Sequence, residues 1–338
     1  MMRILKNPWT FQIVIAVVLL ALVVWQVDFG DVGHTFGDAD YHWVPLALAV
    51  YIASRVVHTW EWQMTLTKVG RAPFGGMFGA LLIASLVNAV IPASAGEVAK
   101  VQIVANRYGL SRSGLIAGRG AESLVNAVIM VLFIAVSFTL PGTGFASRSA
   151  LIVMALAAVA AFVAVAVTSR LLPREFPEWR LFGVLPRRAY RVLNDLWPRI
   201  HDGFELVRQP RLLVLAVVLN LFGWFVDIAI LWAYGQAFHV NIPLAAYVAV
   251  SVAVAIITTF PITFGNVGTY EFGLLRVLAL YSVSPDTALA YAVGTHVFST
   301  VFNIGLGIVA MLAMRIGPGE VLSLRSRSPD VPRPVELQ

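Results

Sequence analysis

The chain contains no cysteine, which excludes disulfides, thiol chemistry and Cys-ligated metals. Charge is also scarce: Asp, Glu, Lys and Arg make up 12% of the residues, about half of the roughly 25% usual in soluble domains. The six histidines are scattered, without the His/Asp/Glu spacing of a metal site, and no Ser-nucleophile motif occurs. Neither an enzyme nor a cofactor is therefore expected. A net charge of +6 raises the question of nucleic acid. The basic residues stand between apolar runs, however, where they act as topology signals and contacts to anionic lipid. No nucleic-acid partner follows.

What is abundant is apolar sequence, 59% of the residues, with a mean hydropathy of +0.81. Several runs reach the roughly 17–25 residues needed to cross a bilayer. The fold class is an all-α polytopic membrane protein. Full spans are expected near Trp9–Val27, Trp43–Trp62, Ala121–Leu140, Ser149–Thr168, Leu212–Tyr234 and Thr287–Met314. Arg3 and Lys6 precede the first run like a signal peptide, but no small-x-small cleavage site follows, so a retained helix is expected.

Two further apolar segments are interrupted. The first runs from about Phe74 into Pro92-Ala93-Ser94-Ala95-Gly96-Glu97-Val98, then a polar helix from about Gly96 to Tyr108. The second, about Leu244–Phe260, runs into Pro261-Ile262-Thr263-Phe264-Gly265-Asn266-Val267 and a helix from about Gly268 to Tyr281. Both breaks read Pro-x-x-x-Gly-[Glu/Asn]-Val. Proline stops a helix and glycine permits a reversal. Lipid tolerates such a break only inside protein or beside water. Broken helices at matching places in two halves point to a transporter's binding site.

The N- and C-termini, residues 63–73, 111–119 and 169–211 hold nineteen of the Lys and Arg residues, and the opposite loops only Arg148. Both termini are therefore expected in the cytoplasm of a plasma (inner) membrane protein. Each broken pair returns to its starting side, the first from the cytoplasm and the second from outside. About six full helices and two re-entrant pairs then form an inverted repeat. Its halves cover about 1–140 and 149–314 of a single membrane domain (1–316). Segment 169–211, with nine arginines, is expected to lie on anionic lipid, with an amphipathic helix around Leu193–Val207 kinked at Pro198. A disordered cytoplasmic tail is expected over 317–338.

Arg55, Glu97, Lys100, Glu122, Asp227, Glu271, Arg276 and His296 fall within or beside apolar spans. Each central charge costs about 2.5–3.5 kcal/mol on insertion scales, so these groups must face one another or a wet cavity. One reading makes them internal ion pairs that fix helix register. The other makes them a site, in which helix N-termini near Gly96 and Gly268 offer amides to phosphate and Arg55, Lys100 and Arg119 add positive charge. Gly75-x-x-x-Gly79 and Gly305-x-Gly307 read as packing alone.

At these residues the chain resembles the transmembrane region of lysylphosphatidylglycerol synthases, a flippase-like integral membrane family. Arg55, Trp62, Asn88, Pro92, Gly96, Glu97 and Lys100 follow its first motifs, and Arg119 and Glu122 the next, with Gly118 at the place of a leading Glu. Pro261, Gly265, Gly268 and Glu271 follow the second-half motif, with His296 at the place of an Arg. The resemblance implies movement of lipids between leaflets. A synthase domain does not fit within 338 residues, so no aminoacyl transfer is carried over.

The expected substrate-binding set is Arg55, Asn88, Pro92, Gly96, Glu97, Lys100, Arg119, Glu122, Pro261, Gly265, Asn266, Gly268, Tyr270, Glu271 and His296. The expected partner is a phospholipid or other polar lipid, in a chain compatible with a homo-oligomer. Rival readings are an ion-coupled carrier of a small soluble solute, a membrane enzyme on lipid-linked substrates, and a scaffold that docks through 169–211.

Overall fold

The structure, a computed structural model, describes residues 17–23, 29–91, 95–139, 194–198, 201–202, 205–259 and 262–317, with scattered positions between 156 and 171. Pro92, Pro261, most of the spans expected at Trp9–Val27 and Ser149–Thr168, most of 169–211 and the tail from 318 lie outside the described residues. Among those described, all regular structure is helical. Three helices are long and apolar enough to cross a membrane, and the chain is an all-α polytopic membrane protein.

Between the spans expected at Trp9–Val27 and Trp43–Trp62 the chain forms a short helix, α1 (Phe29–Gly37), flanked by Asp38 and Asp40. Val32 and Phe36, four residues apart on one face, pack on the core, and the Phe36 ring meets Phe238 edge-on at 5.2 Å. Next comes α2 (Trp43–Met64), then α3 (Phe74–Val90), which leads into the first break. After that break α4 (Ala95–Tyr108) runs back and α5 (Arg112–Thr139) follows.

Helix α5 begins at Arg112, well before the expected Ala121. The Ser111 hydroxyl caps it, accepting from the Gly114 amide at 3.3 Å. Arg112 ties the polar first turn to Gln102 and Asn106 of α4, at 2.8 and 2.7 Å. Hydrophobicity marks where a helix meets apolar surroundings, and this one extends past that limit.

In the second half α6 (Glu205–Arg208) leads into α7 (Pro210–Ala237), whose Pro210 suits a first turn that needs no amide donor. Then α8 (Ala246–Thr259) runs to the second break, which ends in a 3-10 turn at Phe264–Asn266 and α9 (Thr269–Ala279). Last is α10 (Pro285–Met314), N-capped by Ser284.

Helices α2 and α7 are antiparallel. Trp43 meets Trp232 at a ring distance of 5.3 Å, Ser54 meets Asp227 at 2.6 Å, and Glu61 meets Asn220 at 2.8 Å. The end of α2, from which α3 departs, thus lies opposite the end of α7, from which α8 departs. The two broken pairs start from opposite faces. Yet α3 packs on the Phe264–Asn266 turn, and residues of both breaks line one cavity.

Two full crossings from opposite faces would end about 30 Å apart, the thickness of a hydrocarbon core. At 17 and 14 residues, α3 and α8 extend only about 26 and 21 Å at 1.5 Å per residue. Those lengths suit re-entrant pairs. Each broken element also packs on the last helix of the other half, α3 on α10 and α8 on α5. An inverted repeat would give the same exchange.

Candidate functional site

Where the two breaks meet there is a cavity of about 530 Å³, within the roughly 300–1,000 Å³ usual for ligand pockets. Helix α2 lines it with Tyr51, Arg55 and His58, and the first break with Ser85, Asn88 and Ile91. Asp227 and Tyr234 come from α7, Gly265, Asn266 and Tyr270 from the second break, and His296 and Asn303 from α10. Of the expected set, Arg55, Asn88, Gly265, Asn266, Tyr270 and His296 therefore share this wall. Pro92 and Pro261 lie outside the described residues.

Glu97, Lys100, Arg119 and Glu122 gather instead where α4 meets α5, off the cavity wall. Glu97 Oε2 takes Lys100 Nζ at 2.9 Å and Arg119 Nε at 3.0 Å, and Arg119 Nη1 meets Glu122 Oε1 at 2.5 Å. Lys100 is buried and lies over the Trp62 ring at 5.1 Å. Two cations and two carboxylates cancel, so Lys100 and Arg119 are spoken for. Each carboxylate Oε1 or Oε2 that pairs here is satisfied, while Glu122 Oε2 is buried without a hydrogen-bond partner.

Both break helices are capped by the chain itself. The Gly96 amide donates to Asn88 Oδ1 at 2.7 Å, and the Gly268 amide to Glu271 Oε2 at 2.7 Å. These two amides, which the sequence offered to phosphate, are occupied. At the second break Gly265, Asn266 and Gly268 all have positive φ (57°, 61° and 81°), a tight left-handed passage that favours Gly and Asn. It turns the Gly265 carbonyl toward His296 Nε2 at 2.9 Å, while His296 Nδ1 faces Glu271 Oε1 at 2.6 Å. Oxygen atoms face both ring nitrogens of His296. His296 thus supplies the basic partner that the resemblance places at this position as Arg.

Arg55 differs from the other cations. Its Nη2 donates to Ser54 Oγ at 3.0 Å and its guanidinium lies over the Tyr51 ring at 4.9 Å. Its Nε is buried without a partner, and no carboxylate among the described residues pairs with it. The sequence reading missed His58, Glu61, Asn220 and Asn126, and counted Asp227 among the intramembrane charges without placing it in the binding set. Ser54, His58 and Glu61 stand at i, i+4 and i+7, one face of a helix, and tracing that face from Arg55 would have found them.

The profile of the lysylphosphatidylglycerol synthase TM region matches residues 9–307. A UPF0104 membrane protein of Methanothermobacter thermautotrophicus is 24% identical, covering 91% of this chain and 96% of that protein. A second UPF0104 membrane protein of the same organism is 22% identical, over 87% of this chain and 90% of its own length. Glycosyltransferase AglD of Haloferax volcanii is 25% identical over 90% of this chain, which spans 54% of that relative. No solved structure matches. By the reach of that profile across both breaks, the chain belongs to the family of the lysylphosphatidylglycerol synthase transmembrane region.

Proposed function

We propose that the protein is a flippase-like transporter that moves a polar, phosphate-bearing lipid between leaflets, its head group passing through the central cavity while the tails stay in lipid. One observation carries this reading: Arg55 is a guanidinium on the cavity wall that no carboxylate among the described residues pairs with directly, Asp227 being reached only through Ser54. A cation held away from bulk water without a carboxylate is a costly feature, and an incoming phosphate supplies the missing charge in a geometry that guanidinium favours. The cavity volume suits a head group. Asn88, Asn126, Tyr234 and Asn303 add neutral hydrogen-bonding groups beside the titratable His58, Asp227 and His296.

In this reading the protein sits in the plasma membrane with both termini cytoplasmic, and segment 169–211 rests on anionic lipid. It performs no transfer chemistry of its own. The test is reconstitution into vesicles with head-group-labelled phospholipids. Arg55→Gln removes a charge-assisted contact worth about 1.5–3 kcal/mol, so translocation is expected to fall by about 10- to 100-fold. If the label never crosses while soluble glycerol 3-phosphate is taken up, the protein is a solute carrier instead.

A further inference from the structure

Behind Arg55 lies a line of titratable groups that the proposed function does not use. His58 Nδ1 stands 2.8 Å from Glu61 Oε2, and His58 Nε2 stands 3.4 Å from Asp227 Oδ2. Both nitrogens of one imidazole therefore face carboxylate oxygens. A neutral ring has one N–H to give and satisfies one of them. The second contact requires another proton, on the ring or on a carboxylate, so the triad holds an exchangeable proton by construction.

The triad also has a direction. Asp227 and His58 open to the cavity, with side chains 37% and 25% exposed, while Glu61 is 3% exposed. Glu61 Oε1 is held by Asn220 Nδ2 at 2.8 Å. Opposite the ring stands Gly223, where a Cβ would come within 3.2 Å of His58 Cε1. On its far side Glu61 is in electrostatic reach of Glu122 and Arg119 of α5. Glu122 Oε2 is the buried carboxylate oxygen without a partner, and the same cluster reaches water through Glu97, 40% exposed.

Around the triad, the charged groups are Arg55 on α2 itself and Arg119 and Glu122 on α5. Helices α3 and α8 contribute none, and α10 places His296 on the cavity wall.

The triad is tied to the anion site. Ser54 Oγ accepts from Arg55 Nη2 at 3.0 Å and donates to Asp227 Oδ1 at 2.6 Å. Negative charge arriving on Arg55 disfavours a second negative charge on Asp227. We propose that Glu61, His58 and Asp227 form a proton relay that couples movement of the phosphate-bearing lipid to a proton gradient. The proposal rests on Arg55 as the anion site.

When the anion binds, Asp227 Oδ2 takes a proton from His58 Nε2. His58 Nδ1 takes one from the Glu61 carboxyl, and the ring stays neutral as the other tautomer. Glu61 regains its proton from water, and Asp227 gives up its own to water in the cavity when the anion leaves. One proton moves per anion, and the His58 ring, left as the other tautomer, turns over to face its N–H to Asp227 again before the next cycle. The 3.4 Å contact must shorten for the transfer, as catalytic hydrogen bonds commonly do on binding.

The experiment uses the full chain in vesicles of phosphatidylethanolamine and phosphatidylglycerol with a trace of head-group-labelled phosphatidylethanolamine. Across an imposed difference of one pH unit, wild type is expected to drive the label to an asymmetry approaching tenfold, the limit for one proton per lipid. A protonophore should return it to parity. Glu61→Gln keeps the Asn220 contact and lies off the cavity, so label should still cross but reach parity with or without the gradient. Wild type at parity under the gradient, or Glu61→Gln still responding to it, overturns the relay and leaves the transport reading standing.

A second measurement follows proton uptake from weakly buffered detergent solution on adding glycerol 3-phosphate. About one proton per bound molecule is expected for wild type, and none for Asp227→Asn. Binding without uptake overturns the relay alone. Absence of binding overturns the Arg55 site and the relay with it.

Discussion

A Cβ built on Gly96 falls 2.1 Å from the backbone oxygen of Ala84 and 2.7 Å from the Asn88 amide. Backbone cannot swing aside like a side chain, so Gly96→Ala must push α4 off α3 and loosen the Asn88 cap. The expected loss is about 1–3 kcal/mol, the usual cost of overpacking, read as a lower melting temperature in detergent. Gly75→Ala and Gly305→Ala are the controls, because a Cβ at either meets nothing within 4 Å. They should leave stability unchanged or raise it, since Ala is the better helix former. These glycines show how far the sequence could be read. The motif marked Gly96 as a reversal, whereas it stands in the first turn of α4 and is needed for close approach to α3. Spacing alone put Gly75 with Gly79 and Gly305 with Gly307, yet only Gly79, against Met314, and Gly307, against Leu86, are closed in by a neighbour. A periodic small residue shows which face is thin, and the partner helix decides where it is used.

Between α4 and α5, a lysine, an arginine and two glutamates bind into one unit, and its energetics belong to the pair of helices. Removing one carboxylate by Glu97→Gln leaves Lys100 buried without its 2.9 Å partner and Arg119 with Glu122 alone. Breaking a buried pair on one side costs about 3–5 kcal/mol, and because Glu97 is 40% exposed and screened by water the loss is expected to be smaller, about 1–3 kcal/mol. The double variant Glu97→Gln with Lys100→Met removes both charges and keeps an apolar chain under Trp62, so it should recover much of that loss. Parallel melting curves check this, and a double variant no more stable than the single one would place the cost elsewhere. The sequence carried the members of this unit, because charges at Glu97 and Lys100 beside a break are conspicuous in an apolar chain. It did not carry the neutralisation, since Arg119 comes from another helix whose start was read too late. The short helix α1 was missed for the opposite reason. Its polar residues resembled a loop, while Val32 and Phe36 pack it on the core.

At the scale of the whole molecule, everything depends on two re-entrant pairs starting from opposite faces, and the lack of cysteine makes that directly testable. Single cysteines at His42, before α2, and at Leu244, before α8, lie at exposed positions at the same end of the α2–α7 pair. Ser282, exposed after α9, belongs to that end if the α8–α9 pair returns. Thr67, exposed after α2, belongs to the other. With cytoplasmic termini, His42→Cys, Leu244→Cys and Ser282→Cys should react with a membrane-impermeant maleimide added outside intact cells, and Thr67→Cys only after permeabilisation. Basic residues set this orientation, and the antiparallel register of α2 and α7 fixes which loops must share a side. Reaction of Leu244→Cys and Ser282→Cys from opposite sides would make α8–α9 a crossing rather than a return. The second break would then leave the first at a different depth, and the cavity, the unpaired Arg55 and the relay behind it would lose the meeting point they share.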